Sequence, residues 1–101
     1  MTKKYKLLYS DTAGKQTKKL HPRLKPLIKS RIEQIREDPY IGKSLERELS
    51  GYLSFRTNRY RIIYRVLEDE KVIQIHYVGH RRDIYELFGA QIRRPKNTPG
   101  G

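Results

Sequence analysis

Apolar and polar residues alternate through the second half of this chain. Leu53, Phe55, Tyr60, Ile62, Tyr64, Val66, Ile73, Ile75 and Tyr77 form one set, and Tyr52, Ser54, Arg56, Arg59, Arg61, Ile63, Arg65, Gln74, His76 and Val78 form the other. Strand side chains point to opposite faces in turn, so the pattern predicts three strands with one apolar and one arginine-rich face. Thr57-Asn58 is the expected first turn, because Asn tolerates positive φ. That turn sets Arg56 opposite Arg59, Phe55 opposite Tyr60, Ser54 opposite Arg61 and Leu53 opposite Ile62. A second turn at Asp69-Glu70 sets Tyr64 opposite Ile75, Ile62 opposite Tyr77 and Arg61 opposite Val78. A slip of one residue would mix the two sets, so the pattern supports the register.

The first half reads differently. Alternation from about Lys4 to Tyr9 predicts a strand. Asp11 is placed to cap a short helix running toward Leu20. Leu24, Leu27, Ile28, Ile32 and Ile35 recur at helical spacing and predict a second helix to about Glu37. Pro22 suits its first turn, or Pro26 marks where regular helix begins. Asp38-Pro39 ends it. Residues 40–50 read as a connection, 84–92 as a short final helix, and 93–101 as a flexible basic tail. The expected class is α+β: a small, mainly antiparallel sheet made of the N-terminal strand and a three-strand meander, with two N-terminal helices on one face. Residues 1–92 are expected to form a single domain, with no internal repeat.

Charge adds a direction. The chain has 101 residues, 23 of them Lys or Arg against 11 Asp or Glu, and a formal net charge of +12. Such an excess points to an anionic partner, nucleic acid first. No cysteine is present, which excludes disulfides, thiol catalysis and thiolate zinc sites. No apolar run has the length of a membrane span, and no signal-peptide apolar region opens the chain, so no membrane partner and a cytoplasmic location are expected. His21, His76 and His80 lack metal-ligand spacing, and no paired carboxylates lie on the basic face, so neither metal nor other cofactor is expected.

Candidate chemistry gathers at one place. The register brings Val78 next to Arg61, so the loop Gly79-His80-Arg81-Arg82-Asp83-Ile84-Tyr85 is expected to deliver His80, Arg81 and Tyr85 near Arg61. Two arginines can grip phosphate oxygens bidentately and stay charged throughout. A tyrosine beside several arginines gains acidity, and a histidine titrates near neutral pH. Either is a candidate for proton transfer. Lys43, Tyr52, Ser54, Arg56, Arg59, Arg65 and Arg82 are candidates for RNA contacts, Tyr52 by stacking on a base.

The segments Leu49-Ser50-Gly51, Tyr60-Arg61-Ile62-Ile63-Tyr64 and Val78-Gly79-His80-Arg81-Arg82-Asp83-Ile84-Tyr85 together resemble the RelE/ParE superfamily of toxins from bacterial and archaeal toxin–antitoxin systems. The resemblance spans roughly Lys4 to Phe88. It implies a small sheet with two N-terminal helices on one side, and an acidic antitoxin as partner in a higher-order complex. For the RelE-like branch it implies metal-independent cleavage of mRNA, usually in the ribosomal A site, by attack of a 2′-hydroxyl on the adjacent phosphate. Arg61, Arg81 and Tyr85 match the family's catalytic positions, with Tyr85 closer to Arg81 than in the best-known member. Tyr52 and Ser54 stand where that enzyme carries lysines, and His80 is placed to take over proton transfer. The alternatives are a ParE-like toxin that poisons DNA gyrase, or a basic RNA-binding module without chemistry.

Overall fold

The computed structural model describes residues 4–80. The helix expected over 84–92, the tail, and Arg81, Arg82, Asp83 and Tyr85 lie outside the described residues. Strand β1 (Lys6–Tyr9) leads into helix α1 (Asp11–Lys18) and helix α2 (Lys25–Glu37). A short strand β2 (Lys43–Ser44) and a 3-10 turn (Arg47–Leu49) precede strands β3 (Leu53–Thr57), β4 (Tyr60–Leu67) and β5 (Val72–His80). The five strands form one sheet in the order β1-β5-β4-β3-β2. It is a mixed sheet: β1 runs parallel to β5, and the other pairs are antiparallel. The strand β2 lies within the stretch read as a connection. Among the described residues, no helix is long and apolar enough to cross a membrane.

Local chemistry explains the helix ends. The N-cap of α1 is Ser10, not the expected Asp11: its Oγ accepts from the Ala13 amide at 3.0 Å. Asp11 sits instead in the first turn, where a negative charge suits the helix dipole. Helix α2 carries Pro26 in its first turn, where no amide is required. Its last residue is followed by Asp38, and Pro39 keeps that residue out of helical geometry.

The main core lies between the helices and one sheet face. Ile28, Ile32 and Ile35 of α2 pack with Ala13 of α1 and with Leu53, Ile62, Tyr64, Ile73, Ile75 and Val78 of the sheet. Tyr64 is fully buried. Its hydroxyl donates to the Pro39 carbonyl at 2.7 Å and accepts from the Gly42 amide at 3.0 Å, which ties the α2–β2 connection to β4. Burial pushes its pKa up to about 12.

The register departs from expectation in two places. The first turn is Asn58-Arg59, with Asn58 at φ 57°, and Thr57 pairs with Tyr60, Arg56 with Arg61 and Ser54 with Ile63. Every partner moves by two residues, so each side chain keeps its face. The second difference is a bulge. Tyr64 does pair with Ile75, but Ile63 pairs with Tyr77, leaving His76 as an extra residue on β5. One extra residue inverts the parity of all that follows it. Val78 therefore enters the main core beside Ile62, and Tyr77 turns to the open face. Helix α1 serves the outer edge of β5 here, since Ser10 Oγ donates to the His76 carbonyl at 3.1 Å and Gln16 Oε1 accepts from the Val78 amide at 2.7 Å.

Candidate functional site

The open face of the sheet carries three rows of side chains. The first row is Arg56, Arg61 and Gly79, paired in sequence across β3, β4 and β5. The second is Lys43, Ser54, Ile63 and Tyr77. The third centres on Arg65, with Gln74 as its β5 partner. This face is not purely basic. Ile63 and Tyr77 are buried beneath Leu45 and Leu49, with Tyr52 packed against them. Two apolar residues on an arginine face thus have their own small core.

Arg61 is held at the edge of that core. Its Nη1 donates to Ser54 Oγ at 3.0 Å. On its other side the Tyr77 ring lies over Gly79. A Cβ added at Gly79 would sit 2.4 Å from Tyr77 Cε1, a distance no side chain could occupy without moving the ring. The position opposite Arg61 therefore has to be glycine. Cross-strand partners share a face, so the Tyr77 ring fills the space that a residue beside Arg61 would take. A half-buried guanidinium held by the Ser54 hydroxyl, with exposed Arg56 next to it, is suited to hold an anionic oxygen.

The third row forms a second group. The Arg65 guanidinium carbon lies 5.7 Å from the Tyr52 ring centroid, within cation–π range. The His76 ring meets Tyr52 edge-on at 5.2 Å between centroids. His76 Nε2 and Gln74 Oε1 are 3.2 Å apart. Burial, and then the charge of Arg65, hold the His76 pKa below its ordinary value.

Several expected positions change. His80 pairs with Tyr60, and its ring lies 5.8 Å from the Tyr60 ring. Tyr60 packs against the main core, so His80 lies on the helix side of the sheet, opposite Arg61 and not beside it as expected. The bulge at His76 is the physical reason. Ser54, expected as an RNA contact, is 4% exposed and its hydroxyl is turned to Arg61. Arg56 and Arg65 are exposed on the open face, and Lys43 is exposed on the β2 edge strand of the sheet. Arg59 is exposed in the turn, and Tyr52 is half-buried beside Arg65. His76 lies on this face as anticipated, beside Tyr52, whereas Tyr77 was not anticipated there. The signal was present, because Val78 fitted the polar set poorly. Among the described residues, no three His, Cys, Asp or Glu side chains are grouped to hold a metal ion.

Residues 2–85 match the family model described as the ParE toxin of type II toxin–antitoxin systems. The chain is 35% identical over 83 residues to toxin RelG of Mycobacterium tuberculosis, a match covering 80% of this chain and 95% of that protein. It is similar to the toxin–antitoxin complex RelBE2 of the same organism, with a TM-score of 0.69 and 32% identity over 76% of this chain and 98% of that one. The fold is shared with the isolated RelE toxin of E. coli, at a TM-score of 0.67 and 23% identity, covering 87% of this chain and 98% of the other.

Proposed function

This chain belongs to the ParE toxin family of type II toxin–antitoxin systems, within the RelE/ParE superfamily, and from that premise we propose that it is a metal-independent endoribonuclease. Its substrate is mRNA, cut in the ribosomal A site, and the result is inhibition of translation. The observation that carries this reading is the fixed Arg61 on the open face, held by Ser54 and flanked by Arg56 and Gly79. Charge of +12 supplies the attraction for RNA.

In the proposed reaction a ribose 2′-oxygen forms a bond to phosphorus as the bond from phosphorus to the 5′-oxygen breaks. The 2′-proton passes to a base, and an acid protonates the leaving oxygen. Arg61 holds the non-bridging oxygens, whose charge grows in the phosphorane. We assign Arg81 to the same oxygens and Tyr85 to proton transfer, on the strength of the motif that continues β5. His80 receives no proton in this scheme, because its ring lies against Tyr60 on the other side of the sheet. The partner that silences the toxin is an acidic antitoxin, acting in the cytoplasm and in a higher-order assembly; the similar RelBE2 is solved as a toxin–antitoxin complex.

A second reading follows from the ParE name of the matched family: the target is DNA gyrase and no RNA is cut. A translating extract with mapped mRNA ends tests both. New 5′ ends that appear with the parent, and fade with Arg61→Ala, support the nuclease. Intact mRNA together with gyrase-dependent DNA breaks supports the second reading.

A further inference from the structure

We propose that Tyr52, Arg65, Gln74 and His76 form a nucleobase subsite that reads an adenine of the RNA near the scissile phosphate. The proposal rests on the endoribonuclease reading above. The bulge is its starting point. A bulge forfeits a ladder pair and re-aims a side chain. His76 is the bulged residue and lies on the open face, edge-on to Tyr52 at 5.2 Å.

The four side chains then fit together as a built surface. Arg65 is exposed and lies over the Tyr52 ring, so its planar guanidinium extends the aromatic platform outward. Aromatic rings and arginine planes are the surfaces on which unpaired bases stack. An amide oxygen only accepts, so the contact between His76 Nε2 and Gln74 Oε1 at 3.2 Å puts the ring proton on Nε2. The lowered pKa of His76 keeps that ring neutral near pH 7. Gln74 is thereby oriented. Its amide group offers N–H donors beside an oxygen with a second lone pair, which complements the acceptor and donor of the adenine N7 and N6 edge.

Position favours the same ligand. Arg65 and Arg61 are on one face of one strand, four residues and therefore about 13 Å apart. The second row lies between them. Exposed Arg56 and half-buried Arg61 form a cationic row at one end of this face, and the Tyr52–Arg65 platform stands at the other, beyond the small core of Ile63 and Tyr77.

The test uses purified toxin and ribosomes programmed with mRNAs that vary the bases around the cut, with sequencing of the ends. The parent is expected to cut preferentially at sites with adenine at one fixed position. Gln74→Met keeps the length and removes the amide. It should reduce that preference by about 5- to 100-fold at that position. Arg65→Ala should raise KM across all sites more than it lowers kcat, since it removes stacking area and a charge. Thermal melts confirm that both variants fold. A parent that cuts without base preference overturns the subsite, and so do variants that keep the parental preference. A parent that cuts no RNA overturns the nuclease reading and the subsite with it.

Discussion

Arg61 and Ser54 are diagonal neighbours on the open face, and the guanidinium of one is fixed by the hydroxyl of the other at 3.0 Å. Diagonal pairs lie within reach across an antiparallel ladder. This pair gives Ser54 a task other than touching RNA. Arg61→Ala is expected to lower kcat by roughly 100-fold or more, because it removes a donor from the site of developing charge. Ser54→Ala keeps the donor but frees its geometry, so a smaller loss, on the order of 10-fold, is expected in kcat with KM little changed. His80→Gln, on the far side of the sheet, should cut at close to the parental rate. Single-turnover cleavage checks all three, and a His80→Gln variant as damaged as Arg61→Ala would refute the assigned face.

Tyr64 anchors the fold at one atom. Removing its hydroxyl leaves the Pro39 carbonyl and the Gly42 amide without that partner in a buried place. Tyr64→Phe should cost about 1–3 kcal/mol. For a domain of this size each kcal/mol lowers Tm by roughly 4–8 °C. Gly42→Ala attacks the same contact from the other side, since its added Cβ would stand 2.7 Å from the Tyr64 oxygen. Calorimetric melts of both variants measure the effect.

Glu68 links three segments on the surface. It accepts from the Tyr5 hydroxyl at 2.9 Å and the Tyr40 hydroxyl at 2.7 Å, and it is paired with Lys71. Lys71 foremost, then Tyr40 and Tyr5, hold its pKa down to about 2 from an ordinary 4.5. A carboxylate with a lowered folded pKa stabilises the fold fully above its unfolded value. The contribution fades as pH falls from about 4.5 toward about 2. Glu68→Gln should therefore melt below the parent at pH 7, and the gap should close in acid. A gap that stays constant between pH 7 and pH 2 would show that the charge of Glu68 is not its source.

Much of this architecture was legible in the residues. Helical spacing of Ile28, Ile32 and Ile35 marked the buried face of α2, and alternation marked β3 and β4. The misplaced first turn did no harm to the faces, because a shift of two residues preserves parity. The bulge was not legible in the same way. Alternation counts residues, and a single extra residue reverses every later assignment without changing composition. Tyr77, Val78 and His80 were all misplaced for that one reason. Ile63 looked out of place among arginines because Leu45 and Leu49, which cover it, fall in a stretch with no periodic signal. The family motif through Arg61 was legible directly, since it is local in sequence.

The bulge also yields a test of its own. Deleting His76 removes the extra residue and leaves β5 able to pair without interruption: Ile75 stays with Tyr64, Tyr77 with Ile63, Val78 with Ile62 and Gly79 with Arg61. Every other side chain of β5 keeps its face, so Ile73, Ile75 and Val78 stay in the core. The deletion should therefore stay folded, at a cost of roughly 0.5–3 kcal/mol. His76→Ala keeps the extra residue and loses only ring contacts, so it should stay folded within about 1 kcal/mol of the parent. Circular dichroism melts of the two variants compare backbone count with side-chain identity at one position. A deletion variant that unfolds would mean that His76 is not the extra residue of this ladder.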